Sequence, residues 1–402
     1  MINGDILGMN LLEVIPLARL PKGAPHTLTY YTSQLVAPGS FVFISIQKRK
    51  AVGLVTKVTP LSEQKSVIRK QEYGLRRIDA VVGTFVFPWK YVQLYSWTGK
   101  FFLAQKGLMM KTAFPRYFGK PTKALKKFLE SLGVPPHPES REAPEQRIRF
   151  AEGSWKERVS FYIEEIQKVL ASKHGSALIL FPTWLDAETF LKFLRERIPD
   201  AKDGIVLFKS AEGEKKHAEE WSDILFGRAR IIIGTRSAVF APIPFLSLII
   251  VDSEASSYYK SWDSDPRFDA REVAEKISEV HSIPLLLGGN IPREETWQSI
   301  HEHIIPTLRL GSEKKTPVRV ISTRSKERMG EHTEFRVISL ELESAMKNTL
   351  LKKKKIFLFS GRRGHSANIL CRDCGHIVLC KQCEAPLTVH VSKDILSSRF
   401  LT

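Results

Sequence analysis

The sequence predicts a multidomain chain that is α+β at its start and α/β over most of its length. Three observations carry that expectation: short β-rich runs punctuated by Pro and Gly over residues 11–85, a stretch rich in Pro and Glu at 133–146, and beyond it a regular alternation of apolar strands with amphipathic, helix-length segments. A chain of 402 residues has room for roughly two to four domains. Hydrophobic content of 43% with 10% aromatics is enough to build cores, so most of it is expected to fold.

The elements follow in chain order. The runs LTYYTSQLV, GSFVFISI and AVGLVTKV have β composition and no helical period, which predicts a small β domain over residues 1–87. Gln47-Lys48-Arg49-Lys50 falls between two of these strands, at a hairpin tip; such a cluster is ordinarily solvated charge, and it is also what a contact to a phosphate backbone looks like. Residues 88–132 turn helical, and PTKALKKFLESLG puts Leu125, Phe128, Leu129 and Leu132 on one stripe with lysines opposite, as in a small basic helical module. Residues 133–146, GVPPHPESREAPEQ, lack apolar periodicity and read as a linker.

From 147 to 312 the runs ALILF, GIVLF, RIIIGT, LIIV and PLLLG alternate with helices such as SWKERVSFYIEEIQKVLAS, predicting a parallel sheet covered on both faces. A second unit over 313–402 is expected to start with strand VRVIS, helix LELESAMKNTLLKKKK and strand IFLFS. Lys352 to Lys355 end that helix, where cations suit the macrodipole.

Composition narrows the partners. The formal net charge of +18 favours a polyanion, with nucleic acid the first candidate. No apolar run reaches the roughly 18 residues that a membrane helix needs, and MINGDILGMNLLEV lacks a basic leader, so a cytoplasmic location is expected. All 4 cysteines lie between Cys371 and Cys383, which suits a metal or reduced thiols better than disulfides joining distant parts of the fold.

Two stretches bear on nucleotide chemistry. LIIVDSEASSYYK (248–260) ends an apolar strand in acids, where open α/β sheets bind ligands, and nucleotide-hydrolysing motors place Asp-Glu there for Mg²⁺ and water. Here Asp252 is followed by Ser253 and then Glu254. At the first strand-to-helix turn, FAEGSWKERVSF (150–161), a phosphate loop would need G-x-x-x-x-G-K-[ST]. Only Gly153, Ser154 and Lys156 fit, with Phe150 and Trp155 at the glycines and Glu157 at the hydroxyl. An indole blocks the space of a phosphate, and a carboxylate repels it.

Several motifs together resemble one family, the replication-restart helicase PriA (primosomal protein N′). GTRSAVFAP (234–242), the Asp-terminated strand, YYKSWDSDPRFDAREVA (258–274) and GRRGHSANILCRDCGHIVLCKQCEAPLTVH (361–390) are similar to the family's GTRSALFAP, DEEH with SYKQ and PRYHARDVA, and NRRGYAP leading into CxxCGxxxxCxxCxxxLTxH. GKFFLAQKGLMMKTAFP (99–115) resembles its winged-helix segment. VFISIQKRKAVGLV (42–55) resembles its VRVPFGxRxxxGxV, keeping Val42, Arg49, Gly53 and Val55.

The resemblance implies an N-terminal β domain that captures a 3′ DNA end, a winged-helix-like module at 88–132, a RecA-like lobe at 147–312, and part of a second lobe with a zinc module. It also implies DNA contacts at Tyr259, Lys260, Arg267, Phe268 and Arg271, with Trp262 and Tyr258 as added aromatics, since aromatics interleaved with cations suit base stacking and phosphate neutralisation. Tyr259 and Phe268 also read as core anchors. Lys48, Arg49 and Lys50 are the expected contacts of the β domain.

Departures from the family set the expected chemistry. Ser253 stands for the water-orienting Glu, Ala255 for the closing His, and Gly288-Gly289-Asn290-Ile291-Pro292 for G-S-A-T-P. Lys156, Asp252 and Glu254 are therefore remnants of a catalytic set, and ATP with Mg²⁺ is expected to be lost as a cofactor. The T-F-D-Y that lines the 3′-end pocket reads Thr27-Leu28-Thr29-Tyr30. Arg362, Arg363 and Gly364 match the second-lobe RRG without the later motifs that would supply an arginine finger.

Cys371, Cys374, Cys380 and Cys383 form C-x₂-C-x₅-C-x₂-C, candidate zinc ligands with a connector short for one ion. The family uses eight cysteines for two zincs. Either all four thiolates take one strained zinc, or His376 or His390 helps, or the segment is loose.

The reading is a truncated, ATPase-degenerate family member that binds forked or single-stranded DNA in replication restart or repair, with replication-restart proteins or single-strand-binding protein as candidate partners. The alternatives are an ATP-dependent 3′–5′ helicase with a divergent site completed by a second polypeptide, and an interrupted reading frame without function.

Overall fold

The computed structural model describes residues 8–61 except 22, 75–136, 144, 146–199, 204–209, 213–262, 265–311, 318–321, 338–359, 377–381 and 387. They fall into two compact units, Met1–Glu313 and Lys314–Thr402.

The first unit opens with a six-stranded sheet. Its strands are β1 (Asn10–Pro16), β2 (Leu28–Thr32), β3 (Ser40–Ile46), β4 (Arg49–Pro60), β5 (Arg76–Arg77) and β6 (Ala80–Val86), in the order β5-β2-β1-β4-β3-β6. All pairs are antiparallel except β2 with β5. Alternation along the strands covers both faces. Val42, Ile44, Ala51 and Val55 join one core cluster, while Phe41, Val52 and Leu54 join another. β3 and β4 form the expected hairpin, Ile46 facing Arg49 across a turn in which Gln47 takes φ 52°.

Three helices follow: α1 (Trp89–Phe101), α2 (Lys106–Ala113) and α3 (Lys123–Ser131), the last capped by Thr122, whose side chain accepts from the Leu125 N–H. Their aromatics do not close a separate core. Phe41 of the sheet meets Phe85, Phe114 and Phe118, Phe87 just after β6 meets Phe114, and this cluster reaches Trp221 of the following α/β region. Trp221 Nε1 donates to the Ala113 carbonyl at 2.9 Å, Tyr95 Oη donates to the Phe240 carbonyl at 2.8 Å, and Tyr91 donates to the Ile243 carbonyl. The core thus runs without a break across positions 87 and 132.

The α/β region carries seven parallel strands, β7 (Ile148–Glu152), β8 (Ser176–Leu180), β9 (Ile205–Phe208), β10 (Ile231–Gly234), β11 (Leu246–Val251), β12 (Leu285–Gly289) and β13 (Thr307–Arg309), ordered β13-β7-β12-β11-β8-β10-β9. The connecting helices are α4 (Trp155–Ala171), α5 (Trp184–Arg197), α6 (Glu214–Leu225), α7 (Ala270–His281) and α8 (Glu294–His301). The apolar runs are unbroken because both sheet faces are buried: Ile249 and Val251 face one cluster, Leu248 and Ile250 the other. This order sets the C-terminal ends of β7, β12 and β11 side by side, which builds the candidate site.

In the second unit the helix expected at LELESAMKNTLL is present as α9 (Leu340–Leu351), capped by Ser339. The two flanking strands are corrections. Residues 318–321 and 356–359 have no strand geometry, and Val318, Val320, Phe357 and Phe359 are exposed. An apolar run becomes a strand only beside a partner, and none pairs with either segment among the described residues. Near the cysteines, the Leu387 N–H donates to the Val378 carbonyl at 3.0 Å. No helix among the described residues is long and apolar enough to cross a membrane.

Candidate functional site

The turn after β7 starts α4 with a capping box. The Glu157 carboxylate accepts from the Ser154 N–H and from its hydroxyl, both at 2.7 Å. In a phosphate loop this helix start is where backbone N–H groups would receive an anion. Here the anion is the chain's own. Gly311 allows it in, since a Cβ there would lie 2.0 Å from Glu157 Oε1. Trp155 packs edge-on against Phe181 at 5.8 Å, and Lys156 is exposed on the same turn.

One turn further on, Arg158 lies across three strand ends. Nε and Nη2 donate to the two oxygens of Asp252 at 2.7 and 3.2 Å, while Nη1 donates to the Gly153 carbonyl at 2.6 Å and to Asn290 Oδ1 at 2.8 Å. Both partners are buried, with side chains 4% and 1% exposed. Burial works against the guanidinium charge, but the hydrogen bond and charge of Asp252 overcome it and raise the Arg158 pKa. Tyr162, four residues along α4, donates to Asp252 Oδ1 at 2.8 Å, and Ser253 donates to Oδ2 at 2.8 Å. Burial and the nearby carboxylate hold the Tyr162 phenol protonated. Gly288 makes that approach feasible, because a Cβ there would lie 1.7 Å from the Tyr162 oxygen.

Both oxygens of Asp252 are therefore engaged by a cation and two hydroxyls of the same chain. The donor set does not fit a nucleotide-bound Mg²⁺, which needs open carboxylate oxygen and room for waters and phosphate.

Glu254 faces elsewhere. Its Oε1 accepts from the Arg293 N–H at 2.7 Å at the start of α8, its Oε2 lies 3.3 Å from Arg293 Nε, and its carbonyl accepts from Arg271 Nη1 at 2.6 Å. Burial pushes its pKa up, opposed by Arg293 and Arg271. The side chain braces the loop between β12 and α8.

The aromatic-basic segment splits in two. Tyr259 is fully buried and donates to the carbonyls of Asp252 and Leu180 at 2.6 and 2.9 Å. Phe268 packs edge-on against Phe240 at 4.9 Å, and Arg271 pairs with Asp269 at 2.6 Å in the interior. These three belong to the core. Tyr258, Trp262 and Arg267 are exposed, and the Lys260 ammonium lies 5.6 Å above the Trp262 ring. Lys48, Arg49 and Lys50 are all exposed at the hairpin tip.

Of the cysteines, Cys371, Cys374 and Cys383 lie outside the described residues; Cys380 is half-buried. Among the described residues no group of metal-binding side chains assembles.

Sequence reasoning missed Arg158 and Tyr162. Their spacing of four puts them on one helix face, a signal that means something only once Asp252 is known to lie opposite.

Residues 15–115 match the family model for the PriA 3′ DNA-binding domain, a span that includes α1 and α2. The chain is similar to the replication restart protein PriA of Synechocystis sp., at 33% identity over 46% of this chain and 23% of that protein. The same protein of Rickettsia prowazekii is 24% identical over 88% of this chain and 54% of its own length. The chain thus spans from about a quarter to about half of these relatives. Among solved structures, RecG bound to a three-way DNA junction aligns loosely over 77% of this chain and 50% of that one, at 14% identity and a TM-score of 0.32.

Proposed function

Because the chain belongs to the PriA family of replication restart proteins, we propose that it binds forked or single-stranded DNA in replication restart and does so without hydrolysing ATP. The observation that carries the second half is the buried Arg158–Asp252 pair, in which a guanidinium engages both oxygens of the carboxylate that would have to hold a nucleotide-bound metal. The Glu157 carboxylate at the head of α4 supports it, since a γ-phosphate entering there would meet like charge. On this reading the exposed Lys156 is a remnant, and Glu254 is held by Arg293 at the start of α8.

DNA contact is assigned to the exposed Lys48, Arg49 and Lys50 on the β3–β4 tip and to the exposed Tyr258, Trp262 and Arg267 after β11, with the half-buried Lys260 beside Trp262. Tyr259, Phe268 and Arg271 serve this surface from beneath by fixing the loop. Backbone phosphates supply affinity without a specific pocket, so binding survives changes at the 3′-end residues. Replication-restart proteins and single-strand-binding protein are the partners this role implies. Zinc at Cys371, Cys374, Cys380 and Cys383 belongs to the same reading on the chemistry of two C-x-x-C pairs; metal analysis of the purified chain tests it, and a chain free of zinc would remove it.

The experiment measures forked-DNA binding by fluorescence anisotropy across salt, alongside phosphate release with and without DNA. Tight binding at low salt that weakens steeply as salt rises, with no DNA-stimulated release, is expected. Turnover that Lys156→Ala abolishes would overturn the loss of hydrolysis, and no affinity at low salt would overturn the DNA reading.

A further inference from the structure

A second cavity lies over the C-terminal ends of β8 and β10, apart from the closed site. It measures about 700 Å³, within the range of small-molecule pockets. Its floor and walls include Pro182, Trp184, Phe114, Phe268 and the exposed Tyr258. Its cations come from three segments: Lys111 of α2, Arg116 just after it, and Arg236 following β10. Asp265 is the single carboxylate among its described lining residues, and Arg19 pairs with it at 2.5 Å. The formal charge of its described lining residues is therefore positive.

His217 makes this more than a crevice. It lines the same cavity, is only 5% exposed, and packs at a tilt against Phe208 at 4.8 Å. Its Nε2 is buried without a hydrogen-bond partner. Burial first, and Arg116 second, hold its pKa below the usual imidazole value, so near neutral pH the ring is uncharged and offers hydrogen bonding rather than charge. A buried polar atom left unpaired is costly, and a ligand group that meets it relieves that cost.

Cations from three segments, aromatic walls and one unsatisfied polar atom describe a nucleotide better than an acidic peptide, which would leave the aromatic faces unused. We propose that this cavity takes one unpaired nucleotide of the bound strand, with its backbone phosphate at Lys111, Arg116 and Arg236, its base against Trp184 and Tyr258, and His217 Nε2 at the base edge. The inference rests on the DNA-binding reading above and deepens it by naming where a single base leaves the strand.

The test uses the full chain and forked DNA carrying one 2-aminopurine at successive positions of a single-stranded arm. One position is expected to change in fluorescence much more than its neighbours. Trp184→Leu and the double change Lys111→Glu, Arg116→Glu are expected to abolish that change; the two cations are exposed, so the double variant is not placed to disturb folding. An abasic residue at the same position is expected to weaken binding roughly five- to a hundredfold, as loss of one stacked base does. If DNA binds but all positions respond alike, if both variants keep the signal, or if the abasic arm binds equally well, the cavity does not hold a base and the DNA-binding reading stands. If DNA does not bind at low salt, both fall together.

Discussion

Replacing Arg158 by Met removes the guanidinium and keeps most of the side-chain length. The side chain left behind, Asp252, is 1% exposed and would be a buried carboxylate without its cation. Removing one partner of a buried pair costs about 3–5 kcal/mol. The lower end applies, because Tyr162 and Ser253 still donate to Asp252 at 2.8 Å each. Of the other hydrogen bonds that Arg158 makes, the one to Asn290 is replaced by water, since Asn290 is exposed. The expected loss is therefore about 3 kcal/mol. Asp252→Leu alone strands the guanidinium at similar cost, whereas the double variant Arg158→Met, Asp252→Leu strands neither charge.

Urea unfolding of the four proteins at one ionic strength, followed by tryptophan fluorescence, gives the cycle. A coupling of about 2–3 kcal/mol is expected. A loss under about 1 kcal/mol for Arg158→Met, or strictly additive changes, would mean that the pair behaves like a surface ion pair and does not close the site.

Three further outcomes follow from the same geometry. Tyr259→Phe removes the hydroxyl that donates to the Asp252 and Leu180 carbonyls, and is expected to cost about 1–2 kcal/mol in urea unfolding; a change under about 0.5 kcal/mol would mean that the hydroxyl does not fix the loop. Reversing Lys48, Arg49 and Lys50 to Glu should weaken DNA binding and flatten the slope of log affinity against log salt by up to about 0.9 for each phosphate no longer neutralised; an unchanged slope removes the hairpin from the interface. Asp269 is the pH-sensitive brace. Burial opposes its charge, but the bonds and charge of Arg271 win and hold its pKa below the ordinary carboxylate value. A depressed folded pKa means stability present above the unfolded value of about 3.9 and lost as pH falls through the lower folded one. The stability difference between wild type and Asp269→Asn, measured by melting temperature against pH, should therefore shrink below about pH 4, and a difference constant with pH would refute the pair's role.

What the sequence made legible was what its own local chemistry decides. β8, β10, β11 and β12 read as parallel strands because each is an apolar run too short for a helix and flanked by polar turns. The Lys-Arg-Lys tip read as exposed because no core accepts three adjacent cations. Tyr259 and Phe268 were ambiguous, since an aromatic beside Arg looks the same whether it stacks on a base or anchors a loop; only burial separates the two. Residues 318–321 and 356–359 misled because β composition states what a segment tolerates, and pairing states what it becomes. Arg158 was invisible for another reason. On an amphipathic helix an arginine ordinarily faces water, and its partner lies 94 positions away at the end of a strand two places across the sheet.

The bridge made by Arg158 also bears on how such a site could change over generations. The residues that shut it, Glu157, Arg158 and Tyr162, are the same ones that tie β7, β12 and β11 together at their tips, with Gly288 and Gly311 shaped around them. Substituting any one of them to make room for phosphate would remove a contact that joins the strand tips, so on the ATP-free reading a return to nucleotide binding would cost stability at the first step.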